Sequence, residues 1–388
     1  MTQEPGSEQW RRAEANRLWD FASAAAVPGH GFGWLDDRGD VDPARGFPLW
    51  ITGRMTHVFV LAQRAGRDGA EALVAQGIAA LRGEFTDTAN GGWYSTLDAA
   101  GLPISARKGA YDHAFVLLAA SSAVRVGAPG AAELLTDIGE VISMRFWSEA
   151  EGRCQESFAN DWSDPEAYRG ANANMHSVEA FLAAADASGD GIWRDRALRI
   201  ATALIDGAAR AHSWRIPEHF DTDWTVLPEY NADNRRDQFR PYGITPGHGL
   251  EWSRLLVELA ASLTDPPQWL VPAAQSLFAE ALRGWAADGT EGFSYTLDWD
   301  NNPVVRERMH WVAAEATLAA DALARVTGAA SYSEQAASWW PHIDEHFRDT
   351  EFGSWHHELT PDLQPSDTVW SGKPDAYHAV QACCLPDS

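Results

Sequence analysis

The chain has 388 residues, 45% of them hydrophobic, with 55 Asp and Glu set against 30 Lys and Arg. The formal net charge of -25 repels nucleic-acid phosphates and anionic membrane surfaces, and so argues against both as partners. Three cysteines, two of them adjacent, outline no disulfide framework; no apolar run approaches the ~18 residues of a membrane span; and the polar opening M-T-Q-E-P-G-S-E-Q-W does not read as a signal peptide, so the expected location is the cytoplasm.

In chain order, a first helix is expected over 8–25. The stretch L-W-I-T-G-R-M-T-H (49–57) then sets Trp50 and Arg54 on one helical face. Ala-rich stretches with helical spacing follow at 73–82, 113–127, 132–147, 176–187, 194–211, 249–263, 271–287, 310–327 and 331–347. No linker or compositional break interrupts them, so residues 1–388 read as a single domain. Three Gly-rich loops, A-N-G-G-W-Y-S-T (89–96), G-T-E-G-F-S-Y-T-L-D (289–298) and E-F-G-S-W-H-H-E-L (351–359), read as short β-hairpins. Six histidines, His57, His113, His176, His248, His310 and His378, recur at roughly even steps, each at or near the start of a helical segment. That period fits a helix, a turn and a second helix. Six such pairs either stack as a solenoid or close into an (α/α)6 barrel. The long loop at 212–247 favours the barrel, because it can fold over a pocket. The expected fold is all-α: an (α/α)6 barrel with short β-hairpins in its connections.

The chemistry-bearing residues cluster in a few motifs. In T-P-G-H-G-L-E-W (245–252), Pro246 and Gly247 open a helix and put His248 in its first turn. Glu251, three residues on, shares that face. The helix dipole favours a neutral imidazole there and Glu251 the cation, opposed pushes that suit a general acid/base. The alternative is a capping histidine with a surface glutamate. K-P-D-A-Y-H-A-V (373–380) brings His378 as its partner, after Trp370. Arg54 can stabilise an oxyanion or enediolate, or simply pair with one of the many acids. R-G-A-N-A-N-M-H (169–176) offers Asn172 and Asn174 for sugar hydroxyls or for helix capping. His176 and Glu179 share a spacing that metals use, but zinc wants three or four protein ligands, and no C-x-x-C or H-x-H pattern accompanies them, so no metal is expected. R-E-R-M-H-W-V-A-A-E (306–315) supplies His310, Trp311 as a wall, and Glu315 as a hydroxyl acceptor or histidine orienter. His57 and His113 are expected to be structural. No G-x-S-x-G elbow, P-loop or dinucleotide glycine pattern occurs. The recurrent positions hold His rather than paired carboxylates, which suits proton transfer beside a carbonyl better than glycosidic cleavage.

At these residues the chain resembles the N-acylglucosamine 2-epimerase family of sugar epimerases and aldose–ketose isomerases. The likeness runs from G-F-G-W-L (31–35) through the motifs above, the G-G-W-Y loop, E-H-F-D-T-D-W (218–224) and V-V-R-E-R (304–308) to G-K-P-D-A-Y-H (372–378). Within the family it looks closest to the branch of D-mannose and sulfoquinovose isomerases. The resemblance implies an (α/α)6 barrel and a mechanism with no metal and no redox cofactor. It puts His248 and His378 in the places of the two acid/base histidines, Arg54 in that of the essential arginine and Glu251 in that of the helper carboxylate. His176, Asn172, Tyr111, Glu315 and His310 match substrate-binding positions, and Trp50, Trp311 and Trp370 the aromatic walls. His357, Pro374 and Gln238 stand where the sulfoquinovose enzymes carry sulfonate-binding residues, which favours an uncharged hexose. The implied activity is interconversion of D-mannose and D-fructose, with D-lyxose and D-xylulose as a second pair, through a cis-enediol(ate). The alternatives are a 2-epimerase of the mannose/glucose or N-acylglucosamine type, a sulfoquinovose isomerase, and, in another class, a non-catalytic sugar-binding barrel. The expected partner is a small neutral monosaccharide, bound by a monomer or homo-oligomer.

Overall fold

The structure is a computed structural model that describes residues 4–384. The chain gathers into two compact units, one of residues 19–200 and 374–377, the other of the flanking and remaining segments. The first helix, α1 (Glu8–Ala22), runs from one into the other.

In the unit of residues 19–200, α2 (Leu49–Arg64), α4 (Ala110–Arg125) and α6 (Ala171–Ser188) pack side by side. They alternate in sequence with α3 (Ala70–Arg82), α5 (Ala131–Val141) and α7 (Ile192–Ala201). The two sets differ as their sequences require. The side-by-side helices are buried almost all round, and α4 and α6 are rich in Ala, which lets backbones approach closely. Gly53 shows the limit, since a Cβ there would fall 2.8 Å from the Phe115 backbone of α4. The alternating helices are amphipathic. In α3 the buried residues Ala70, Val74, Gly77, Ile78 and Leu81 trace one stripe.

The other unit repeats the scheme. α8 (Pro246–Ser262) packs on α9 (Leu270–Ala281) and on α10 (His310–Thr327), and α10 packs on α11 (Ala330–His342). The helices α5, α7 and α11 each run on into π-helical turns, at 142–146, 202–209 and 343–347. Five helix pairs are therefore consecutive in sequence. The sixth uses both ends of the chain. Cys383 of the short α12 (Tyr377–Cys383) lies within electrostatic reach of Arg11, Glu14 and Arg17 of α1. The same face of α1 anchors Trp10 on Trp340 (5.4 Å between centroids) and Arg11 on Asp321 (2.8 Å).

The expected hairpins are present, with bridges Thr86–Trp93, Trp285–Phe293 and Arg348–Trp355. The short strands that lead into α2, α4 and α10 pair with the segment after the following helix: 47–48 with 96–97, 107–109 with 157–159, and 308–309 with 358–359. A buried cation locks each hairpin. Lys108 Nζ donates to Asp87 Oδ2, Gly91 O and Asn160 O, all at 2.6 Å. Arg308 donates to both oxygens of Asp288, at 2.6 and 3.0 Å, and Lys373 to Asp349 and Gly353 O. Burial alone would push Asp87 up. The hydrogen bonds from Lys108 and Asn90 outweigh it and hold the carboxyl below the usual range.

One histidine departs from the expected register. His57 is the ninth residue of α2, not at its start, and its Nδ1 meets Ser122 Oγ at 2.7 Å. Arg54 occupies the first-turns position instead. Among the described residues no helix is long and apolar enough to cross a membrane.

Lys108→Met leaves Asp87 buried without its cation, an error that typically costs about 3–5 kcal/mol. Urea unfolding at pH 7 should show a loss of that order, and a loss below about 1 kcal/mol would contradict the lock, since exposed pairs contribute no more than that. Because the folded Asp87 pKa is depressed, the pair's contribution is full above the ordinary carboxylate range and fades as pH falls through the folded value.

Candidate active site

The unit of residues 19–200 and 374–377 builds a cluster around Arg54. Its Nη1 donates to Asp375 Oδ2 at 3.2 Å and its Nη2 to Tyr111 Oη at 3.0 Å. The guanidinium also lies over aromatic rings, with Cζ 4.4 Å from the centre of Phe115, 4.7 Å from Tyr377 and 5.1 Å from Trp50. Of the two readings of Arg54, the ion pair is present, with Asp375 as the acid. Asp375 does double duty, since its Oδ1 accepts the backbone N–H of Tyr377 at 2.8 Å and so caps the start of α12. Tyr377 Oη donates to Glu179, whose Oε2 lies 3.6 Å from His176 Nδ1. The His176 ring packs on Tyr111 at 5.3 Å and on Phe115 at 4.8 Å. The two asparagines divide their roles. Asn174 is structural, taking Cys154 N–H at 2.8 Å and donating to Gly170 O at 3.0 Å, while Asn172 is half-buried and its Oδ1 has no hydrogen-bond partner among the described residues.

The other unit holds His248 and His378. His248 Nδ1 lies 2.9 Å from Glu218 Oε1, and His378 Nδ1 lies 2.9 Å from Glu315 Oε1. A carboxylate at Nδ1 selects the tautomer with its hydrogen there. That leaves Nε2 as the nitrogen for proton transfer, and the carboxylate stabilises the imidazolium formed on taking a proton. Trp311 packs near both rings, 5.4 Å from His248 and 5.6 Å from His378, tilted by 34° and 36°. Gly247 makes this possible, because a Cβ there would sit 2.4 Å from the Trp311 ring. His310 stacks on His357 at 3.9 Å. Trp370 packs its edge on Phe239 at 5.5 Å. Its loop is drawn together by the buried Glu358, which accepts the N–H groups of Thr368, Val369 and Trp370.

One expectation changes and another narrows. The spacing points to Glu251 as the orienter of His248, but the Nδ1 partner is Glu218, thirty residues upstream in the long loop. Glu251 gathers instead with Glu315 and His378, with potential ligand atoms within 4.8 Å of one another. Of the two roles expected for Glu315, hydroxyl acceptor and histidine orienter, the contacts match the second: it is fully buried, with Oε1 at His378 and Oε2 accepting Arg254 Nε at 3.0 Å. Arg254 also lies 3.8 Å from Glu251. Glu218, Arg254, Asp375 and Tyr377 are missing from the sequence-based site, although E-H-F-D-T-D-W and K-P-D-A-Y-H already contained three of them.

His113 shows what a structural member of the series looks like. Its Nδ1 bonds Gly109 O at 2.7 Å and its Nε2 accepts Trp93 N–H at 3.2 Å. Burial, aided by the Lys108 charge and opposed by the Gly109 bond, pushes it down to about 3.

The sequence pattern of N-acylglucosamine 2-epimerase (GlcNAc 2-epimerase) matches residues 30–382. The chain belongs to the N-acylglucosamine 2-epimerase family. It is 54% identical to a D-mannose isomerase from Thermobifida fusca, over 97% of this chain and 93% of that protein. It is 48% identical to a D-mannose isomerase from Pseudomonas cannabina pv. alisalensis, over 98% and 93%. A crystal structure of D-mannose isomerase superposes with a TM-score of 0.91 at 28% identity, covering 98% of each chain. The fold class is the (α/α)6 barrel expected from the repeat, shared with these family members.

Replacing Glu315 or Glu218 by Gln keeps a hydrogen-bond acceptor but removes the charge. Each variant should retain its circular dichroism spectrum and lose about 10²-fold or more in kcat/KM. Near-wild-type kcat/KM in both would sink the orienting role.

Proposed function

We propose that the protein is an aldose–ketose isomerase that interconverts D-mannose and D-fructose, with D-lyxose and D-xylulose as a second pair. One observation carries this reading: two histidines, each with Nδ1 on a carboxylate, pack beside one tryptophan in a chain about half identical to proteins named D-mannose isomerase.

The open-chain sugar lies with C1 and C2 between His248 and His378, its C–H face against Trp311. His378 removes the proton from C2 as a general base, and a cis-enediol(ate) forms. The same proton carrier delivers a proton to C1, while the proton on the C2 oxygen moves to O1. His248 serves as the acid/base at the oxygens and, with Glu251, assists ring opening. We assign Arg54 to the charge of the enediolate oxygen, from the family motif it occupies. His176, Asn172, Tyr111, Trp50, His310 and Trp370 are assigned to substrate binding. Glu315 acts through His378. The substrate we assign is a neutral monosaccharide. We place the enzyme in the cytoplasm, where cysteines outside disulfides, such as Cys154, Cys383 and Cys384, persist as thiols.

The test is an aldose panel, run with EDTA present, on the wild type and on His248→Asn and His378→Asn. D-mannose should give D-fructose, and each variant should lose about 10²–10⁴-fold in kcat while keeping its fold. Near-normal turnover in either variant would overturn the assignment. Glucose as the product of mannose would make the protein a 2-epimerase.

A further inference from the structure

Glu291, His342 and His346 meet on elements that carry none of the residues assigned to the reaction. Glu291 belongs to the hairpin at 285–293, His342 ends α11, and His346 lies in the π-helical turn that follows. One potential ligand atom from each lies within 4.8 Å of the other two. The imidazoles, four residues apart, have ring centres 4.9 Å apart.

His342 is the unusual member. Only 3% of it is exposed, yet among the described residues neither ring nitrogen has a hydrogen-bond partner. Glu291 Oε1 is 3.4 Å from its Nδ1, within ion-pair range but outside hydrogen-bond geometry. Buried polar nitrogens are normally satisfied, so this ring calls for an explanation. Burial, reinforced by the charges of His346 and Arg308, pushes His342 down to about 4. An unprotonated imidazole nitrogen is the form that binds metal ions. Trp285 packs edge-on at 5.3 Å and Phe347 at 5.7 Å, which walls the ring on its inner side. The Glu291 side chain is 53% exposed and leaves the cluster open to solvent. The neighbouring Arg308 is already matched by Asp288, so it does not leave an unbalanced charge against a cation.

We propose that Glu291, His342 and His346 form a binding site for a divalent transition-metal ion, zinc by donor chemistry, that ties the 285–293 hairpin to the end of α11. Two imidazoles and a carboxylate suit a borderline ion, with a water in the fourth position. Ligand atoms at about 2.0–2.2 Å from zinc stand roughly 3.3–3.5 Å apart around a tetrahedron. The exposed Glu291 and the partly exposed His346 can make that contraction around a fixed His342.

Untagged full-length protein, stripped with EDTA and desalted, is titrated with zinc alone by calorimetry, and cobalt absorption reports the ligand set. The wild type should bind one zinc at this site and melt at a higher temperature with zinc than without. Glu291→Gln, which alters an exposed side chain, and His346→Ala should each weaken binding by about tenfold or more and abolish the thermal shift. His378→Asn should bind as the wild type does. The proposal is overturned if zinc does not bind, if both cluster variants bind it as tightly as the wild type, or if binding is lost in His378→Asn instead.

Discussion

A histidine can move a proton at one ring nitrogen reliably only when the other is fixed, because a rotating or tautomerising ring presents the wrong atom much of the time. In this protein that constraint falls on two rings at once. Glu218 holds His248 and Glu315 holds His378, each at 2.9 Å through Nδ1. Much else can be traced to keeping those two contacts. Arg254 Nε donates to the second oxygen of the buried Glu315. Gly247 lets α8 come close enough for Trp311 to lie beside both imidazoles. Asp375 caps the helix that starts one residue before His378 and, with its other oxygen, holds Arg54.

Such placement needs helix ends that do not move. The hairpins provide this through buried cations rather than through larger hydrophobic contacts. Lys108, Arg308 and Lys373 each stand shortly before a helix of the histidine series and reach into a Gly-rich loop. A buried pair of this kind gives little net stability over an apolar equivalent, but it is costly to break. It fits a place where geometry matters more than total stability. The proposed metal cluster has the same logic, joining the hairpin locked by Arg308 to the end of α11.

Local features of the fold were legible in the chain. The helix pairs followed from Ala-rich periodicity, and three hairpins from the Gly–aromatic pattern. His248, His378 and Arg54 stood out because their motifs are distinctive over eight or nine residues. What stayed hidden depends on contacts between segments far apart in sequence. Glu218 lies thirty residues before the histidine it holds, whereas Glu251 has the spacing of an orienter and another set of neighbours. The i,i+3 rule describes one helix face, and a loop arriving from outside can displace it. The even spacing of histidines also concealed the difference between His113, whose two nitrogens are both consumed by backbone, and the pair bound to carboxylates. His57 belonged to the numerical series but not to the helix-start register. The sixth helix pair was obscured for a topological reason, since its members lie at opposite ends of the chain.

The central claim is proton transfer between C2 and C1 of mannose by a histidine held on a carboxylate. Its most direct test is to run the wild-type reaction on D-mannose in D2O and read the products by NMR. The account predicts D-fructose carrying solvent deuterium at C1, because an imidazolium exchanges its proton before returning it. Fructose formed without any solvent deuterium, or deuterium entering C2 of mannose with no fructose appearing, would contradict it.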